Sequence, residues 1–136
     1  MAILGQITLS LIRLKMRGGG SMADTNSILL TVREVLDSND EVFDTQLIIF
    51  INTIFATLHQ NGIGPAECFC IEDETSEWDE VTDDKNLNGW LKTFVSLKTK
   101  LYFESASMSS MVADMISKQC DELEWRMRVH CERKDA

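Results

Sequence analysis

The chain of 136 residues is poor in proline and in basic charge, with one Pro, seven Gly and 13 Lys or Arg against 22 Asp or Glu. The scarcity of helix-breaking residues leaves room for long helices. A formal charge of −9 disfavours a conventional nucleic-acid binder, because such proteins place Lys and Arg on phosphates. The sequence lacks an uninterrupted apolar run of about 18 residues, so we predict no membrane-spanning segment and no membrane partner.

The chain has four cysteines and two histidines, and their spacing limits the metal and catalytic sites that it can form. Cys68 and Cys70 are one residue apart, whereas zinc motifs use spacers of roughly two to four residues. Trp78 occupies the position where a calcium-binding loop needs its glycine. The sequence contains no serine elbow and no phosphate-cradling loop. We therefore expect no metal, no cofactor and no catalytic residue, and we predict that the protein is not an enzyme.

The first 21 residues differ in character from the rest of the chain. They carry Arg13, Lys15 and Arg17 and no acidic residue, so that 22 acidic residues face ten basic ones from Met22 onward, a formal charge of −12. We predict that residues 1–21, with their GGGS segment, are an added leader or tag, or the product of a start codon assigned too early. Residues 22–136 are then a single domain. A genuine N-terminal arm, forming an edge strand or binding a partner, is the alternative.

After this leader, apolar residues recur at helical spacing in four segments. Predicted helix one follows a cap at Ser27, and helix two runs from an N-cap at Asp44 to Gly62. Helix three begins near Asp83 or Asp84, and helix four follows the SASMSS break. The predicted fold class is mainly α: a small four-helix domain with one short extended or β-hairpin insert between helices two and three.

Several large apolar side chains are placed where the predicted helices alone do not cover them. Helix two is apolar on almost all sides, so its own domain, a neighbouring subunit or both must bury it. Others punctuate the acidic insert, and one tryptophan lies partly off the apolar stripe of helix four. Such side chains can anchor contacts with partners, although either tryptophan of the set could instead fold back onto its own core. The candidate assembly or partner contacts are Ile49, Phe50, Phe69, Ile71, Trp78 and Trp125.

Four short motifs follow one another along the chain. They are Ile51-Asn52 in helix two, the turn Gly62-Ile63-Gly64-Pro65, an insert with Phe69, Ile71, Asp73, Trp78 and Asp79, and the ELEWR segment Glu122–Arg126. In this order the motifs resemble those of the small head–tail connector proteins, also called adaptor or neck proteins, of long-tailed bacteriophages and prophages. The resemblance extends from about Ile28 to Val129.

This resemblance implies a structural protein whose subunits form a ring between portal and tail, with DNA held in or passing through the channel. The implied partners are further copies of the chain, the portal protein and a downstream stopper or tail-completion protein. The implied location is the virion neck, after assembly in the cytoplasm of the bacterial host. An acidic channel wall would let DNA pass without specific binding. The candidate channel-facing carboxylates are Glu72, Asp73, Glu74, Glu77, Asp79 and Glu80.

A second class of function fits the same composition. An acidic DNA-mimic or inhibitor protein, bound in the basic groove of a DNA-processing enzyme, would also be small, acidic and without catalytic motifs. Mimicry needs carboxylates spaced like phosphates over an extended face, whereas the carboxylates of this chain cluster in one insert. We favour the connector and retain the mimic as the alternative.

Overall fold

The computed structural model describes residues 26–36 and 40–135, which contain four α-helices. These are α1 (Ile28–Val35), α2 (Asp44–Gln60), α3 (Lys85–Glu104) and α4 (Ser110–Asp135). Short 3₁₀ turns lie at Glu41–Phe43, Trp78–Glu80 and Ser105–Ser107. The mainly α, four-helix prediction is confirmed. The predicted leader at 1–21 and the predicted start at Met22 lie outside the described residues.

The insert between α2 and α3, residues 61–84, is extended and irregular rather than a β-hairpin. Within the described ranges the structure contains no strand, and the only bridge is an isolated antiparallel one between Ser27 and Glu77. The insert therefore pairs with the chain just before α1 and not with itself. Its one regular feature is the 3₁₀ turn that begins at Trp78.

The helix starts follow local capping, with one correction. Ser27 Oγ accepts a hydrogen bond from the Leu30 amide at 3.3 Å, and Asp84 caps α3 by accepting from the amides of Asn86 and Leu87. The prediction of Asp44 as the N-cap of α2 is wrong, because Asp44 is the first residue of that helix and binds Arg33. The 3₁₀ turn that leads into α2 is capped by Asp40 instead.

Helix α3 is central, because α1, α2 and α4 all pack against it. One continuous apolar core joins the four helices and includes side chains from the insert. Phe43 and Phe50 of the α2 region make edge-to-face contacts with Phe103, with ring centroids 5.2 and 6.5 Å apart. The insert is thus a packed part of the domain, which places its carboxylates on a fixed base.

The segment Glu41–Gln60, which is α2 with its leading turn, is long and apolar enough to cross a membrane by length and composition alone. The core helix of a globular protein passes the same test. Counting uninterrupted apolar residues overlooks this segment, because Thr, Gln and Asn interrupt it. One side of α2 is buried in the domain, through Leu47, Ile51, Ile54, Phe55 and Leu58.

Candidate assembly surfaces

Three hydrogen bonds join the insert to the start of α1. The Ile28 amide donates to the Ser76 carbonyl at 3.0 Å, and the Trp78 amide donates to the Asn26 carbonyl at 3.0 Å. The Ser27 hydroxyl donates to the Glu74 carbonyl at 2.6 Å. Ser27 thus serves both the N-terminus of α1 and the insert. These bonds fix residues 74–78 against α1.

Trp78 lies inside the subunit, with no exposed surface. Its indole Nε1 donates to the Thr31 hydroxyl at 3.2 Å, and that hydroxyl donates to the Ser27 carbonyl at 2.6 Å. The Asn88 side chain donates to the Trp78 carbonyl at 3.2 Å. A buried tryptophan needs a partner for its N–H, and Thr31 supplies it. Trp78 therefore anchors the insert to α1 and α3 within one subunit.

Asn52, in the middle of α2, holds the first half of the insert at Ile71. Its Nδ2 donates to the Ile71 carbonyl at 2.9 Å, and its Oδ1 accepts from the Ile71 amide at 2.8 Å. Both backbone polar groups of Ile71 are thereby satisfied while its side chain is buried in the core. The sequence places Asn52 in the Ile51-Asn52 motif but does not by itself indicate this role. The available signal was an amide side chain in a strongly apolar stretch of helix.

The Gly62–Pro65 turn ends α2 with two residues in left-handed conformations. Gly62 has φ +77° and Gly64 has φ +101°, while Ile63 between them is buried. Such φ values are strained for any residue with a Cβ. The side chain of Asn61, just before the turn, donates to Glu124 of the ELEWR segment at 2.9 Å. All four motifs in the chain thus have roles within one subunit.

The six candidate channel-facing carboxylates lie on the exposed surface of the insert. Asp73 Oδ1 accepts from the amide of Thr75 at 2.9 Å and from its hydroxyl, and these bonds lower the pKa of Asp73. Glu80 accepts from the Glu77 amide at 2.5 Å. Asp73 and Glu80 therefore shape the insert, and Glu77 does so too, because it forms the capping box of the 3₁₀ turn together with Glu80. The remaining three exposed carboxylates are Glu72, Glu74 and Asp79.

A groove of about 270 Å³ lies where the insert meets α1 and α2. Leu29 and Ile48 supply its apolar lining, and Arg33 forms a bidentate pair with Asp44 at one side. The remaining lining residues are all carboxylates: Glu41, Glu72, Asp73 and Glu74. We call this the acidic groove.

The outward side of α2 is exposed and carries no charge. The chain has no Asp, Glu, Lys or Arg between Asp44 and Glu67. The Thr53 hydroxyl donates to the Ile49 carbonyl at 2.8 Å, and the Thr57 hydroxyl donates to the Thr53 carbonyl at 3.1 Å. Because these hydroxyls are bonded within the helix, the threonines offer less polar surface than their type suggests. Thr45, Gln46, Ile49, Thr53, Ala56, Thr57, His59 and Gln60 form this exposed outer face of α2.

Near the end of α4, Trp125 is 60% exposed. It borders a hollow of about 190 Å³ that is also lined by Trp90, Arg126, Val129, His130 and Arg133. His130 is held there by a 2.7 Å hydrogen bond with the α3 cap Asp84 and by edge-to-face contact with Trp90. Trp125 and its basic neighbours therefore project from a fixed base. We call this surface the α4 end.

The six predicted contact residues divide into three groups by exposure. Ile49 is 59% exposed, and Trp125 is exposed to a similar degree. Phe50 and Phe69 are half-buried; Phe50 lies 5.9 Å from Tyr102 and Phe69 lies 5.2 Å from Phe55, between ring centroids. Ile71 and Trp78 are buried in the core of the subunit. Neither exposed residue lies on the insert: Ile49 is on α2 and Trp125 is on α4.

The four cysteines differ in exposure, and Cys131 is partly buried. Cys68 and Cys70 are exposed, while Cys120 is fully buried on α4. Burial raises the pKa of the Cys120 thiol to about 11. In the described part of the chain, no group of three or more His, Cys, Asp or Glu side chains could hold a metal ion.

Comparison with known protein families gives a match that covers most of the chain. The family described as phage connector protein matches residues 28–134. Comparison with curated proteins and with solved structures gives no match. The match includes all four helices, the insert and the ELEWR segment. The chain belongs to the phage connector protein family.

Proposed function

We propose that the protein is a head–tail connector subunit that forms a ring between the portal and the tail, through which the phage DNA passes. In this proposal it occupies the virion neck, after assembly in the host cytoplasm, and acts without catalysis. Its neighbours are further copies of itself, the portal protein and a stopper or tail-completion protein. The family match supports a structural connector role, and the outer face of α2 is the observation that carries the ring.

That face is unusual for a chain in which 26% of residues are charged. An exposed helix face normally carries charged residues, whereas this one offers Ile49, Ala56 and internally bonded threonines. Apolar and small residues allow close packing against another chain at little desolvation cost. A neighbouring subunit that covers this face would account for its composition.

The charge of the chain supports passage of DNA without binding. Residues 72–84 contain eight acidic residues and no basic one. Carboxylates on a channel wall repel phosphates, so DNA would slide along it. Within this proposal the insert faces the channel through its exposed carboxylates, chiefly Glu77 and Asp79, of which Glu77 also takes part in the capping box of the 3₁₀ turn at Trp78–Glu80. The DNA-mimic alternative has no specific observation in its favour, because the exposed face of α4 mixes both signs of charge.

The ring is tested with the full chain, alone over a range of concentrations and together with the portal protein, by native mass spectrometry and electron microscopy. We expect closed rings, and we expect Ile49→Lys to abolish them while the far-ultraviolet circular dichroism is unchanged. The exposed residue Ala106 provides the matched control, and Ala106→Lys should assemble like the wild type. Wild-type chain that stays monomeric in the presence of portal, or Ile49→Lys rings, would contradict the proposal.

The acidic channel is tested separately on assembled rings. We expect wild-type rings to leave DNA mobility unchanged in a gel and the double variant Glu77→Lys/Asp79→Lys to retain DNA. Asp121→Lys/Glu132→Lys makes the same change of charge at exposed positions of α4 and should not retain it. Equal retention by both double variants would mean that residues 77 and 79 have no special position relative to the DNA.

A further inference from the structure

The acidic groove combines an apolar lining with an excess of negative charge. Glu41, Glu72, Asp73 and Glu74 line it together with the Arg33–Asp44 pair. Because the guanidinium is already engaged by Asp44, it does not neutralise the other four carboxylates. Asp73 is engaged by Thr75, which leaves the remaining three to act on whatever enters. Such a groove suits a group that is apolar and flanked by positive charge.

The same chain carries a surface of that chemistry on a different element. The α4 end exposes Trp125 with Arg126 and Arg133 beside it, all around one hollow. Residues 125–135 contain four basic residues and two acidic ones, in a chain that is otherwise strongly acidic. Arg126 is bonded to Glu122, but this is an exposed i,i+4 pair of little strength. Trp and Arg are the side chains most enriched at the energetic centres of protein interfaces.

We propose that the acidic groove of one subunit takes the α4 end of the next subunit, an inference that rests on the ring proposed above. Trp125 would pack against the partly exposed Ile48, above the buried Leu29, while Arg126 and Arg133 would pair with Glu41 and Glu72. The groove and the α4 end are different surfaces, so the contact is head-to-tail. A repeated head-to-tail contact closes into a ring when its rotation is a whole fraction of a full turn, and it otherwise gives an open filament.

This contact would also offset the electrostatic repulsion between subunits of like charge. Each chain carries a formal charge of −9, so two copies repel at long range unless opposite charges meet at the interface. Matching the acidic groove with the basic α4 end orients the subunits and selects one register. The insert then has two sides: Glu72 and Glu74 face the neighbouring subunit, and Glu77 and Asp79 remain toward the channel.

A charge exchange between two variants tests the pairing directly. The groove variant is Glu41→Lys/Glu72→Lys, and the α4 variant is Arg126→Glu/Arg133→Glu. We expect each variant alone to assemble at least tenfold more weakly than the wild type at equal concentration. Mixed together, they should form hetero-oligomers, because the reversed groove of one complements the reversed α4 end of the other. Native mass spectrometry with one variant mass-labelled counts these mixed species. Because the two variants must alternate, a mixed ring closes only with an even number of subunits, and an odd number leaves an open chain.

The control is Glu67→Lys/Asp121→Lys, which changes the same amount of charge at exposed positions outside both surfaces and should assemble normally. Trp125→Ala should weaken assembly without a change in the thermal midpoint. Variants that assemble like the wild type, or a mixture as weak as its components, would overturn the inference. If Ile49→Lys still abolishes rings in that case, the proposed ring stands without this contact; failure of the wild type to assemble overturns both.

Discussion

Trp78 and Trp125 are similar in sequence and opposite in position. Trp78 lies between Glu77 and Asp79, and Trp125 lies between Glu124 and Arg126. Trp78 is fully buried, whereas Trp125 is mostly exposed. The 3₁₀ turn at Trp78–Glu80 directs the indole into the core while the carboxylates beside it remain in solvent.

The difference shows that charged neighbours do not decide whether a tryptophan faces inward. What decides it is whether the fold provides a partner for the indole N–H and an apolar site for the ring. Thr31 provides the first for Trp78, and the core between α1 and α3 provides the second. An inner set of motif residues therefore holds the fold together, and an outer set stays exposed on its surface.

Replacing the two tryptophans should give the largest difference in stability between the inner and the outer set. Trp78→Ala removes the largest fully buried side chain and should lower the free energy of unfolding by about 3–5 kcal/mol, because it leaves a cavity in the core. Trp125→Ala, as the matched variant, should change it by no more than about 0.5 kcal/mol. Urea unfolding followed by circular dichroism measures both. Similar losses for the two variants would remove the distinction between an inner and an outer set.

Asn52 tests whether the insert depends on α2 as well as on Trp78. Asn52→Ala leaves the amide and the carbonyl of Ile71 without their partners, and we expect a loss of about 2–3 kcal/mol in the free energy of unfolding. Amide hydrogen exchange at Ile71 should become faster than elsewhere in the core. The neighbouring variant Thr53→Ala, on the exposed face, should have almost no effect. Unchanged protection at Ile71 would show that the two hydrogen bonds from the Asn52 side chain are not needed to hold the insert.

The helices could be predicted from the sequence because their apolar spacing, caps and breaks are local signals. The start of α2 could not be predicted as well, because Asp44 is drawn away from a capping role by Arg33, which is 11 positions earlier in the chain. The hairpin alternative failed for a related reason. The insert finds its hydrogen-bond partners at the start of α1, about 50 residues away, and no pattern within the insert shows this.

The exposed candidates were predictable only in part. Ile49 follows from a helix that is apolar beyond one face, which periodicity can show. The burial of Ile71 and Trp78 depends on Asn52 and Thr31, whose side chains reach them across 19 and 47 positions of sequence. The acidic groove likewise joins residues from α1, the turn before α2, α2 itself and the insert. Its existence is a tertiary property that no motif contains.

Cys120 and Cys68 offer a second comparison between a buried and an exposed residue of the same type. Burial raises the pKa of Cys120 from its ordinary value of 9.0 to about 11, so the folded protein holds this proton after the unfolded chain has released it. Stability due to the neutral thiol is complete below pH 9 and declines as pH rises through about 11. The loss is about 1.4 kcal/mol per pH unit, or about 2 kcal/mol by pH 11.

Urea unfolding of the wild type and of Cys120→Ala between pH 8 and pH 11 measures this slope. We expect the variant to lack the extra decline, because it has no buried thiol at position 120 to ionise. Cys68→Ala should behave like the wild type, since Cys68 is exposed. Identical slopes for the wild type and Cys120→Ala would mean that the buried thiol ionises as readily as an exposed one.

The smallest predicted effect concerns the glycines of the turn that starts the insert. Gly64 has φ +101° and open space where a Cβ would lie, so Gly64→Ala should lower the free energy of unfolding by about 1 kcal/mol through backbone strain alone. Gly89 lies within α3, also with open space around a Cβ, and Gly89→Ala should raise stability by about 0.5–1 kcal/mol. Opposite signs from the same substitution, measured by urea unfolding, would show that the turn before the insert is held in a left-handed conformation. Stabilisation by both would mean that the turn relaxes to accept alanine and that the insert is fixed by Asn52 and Trp78 without it.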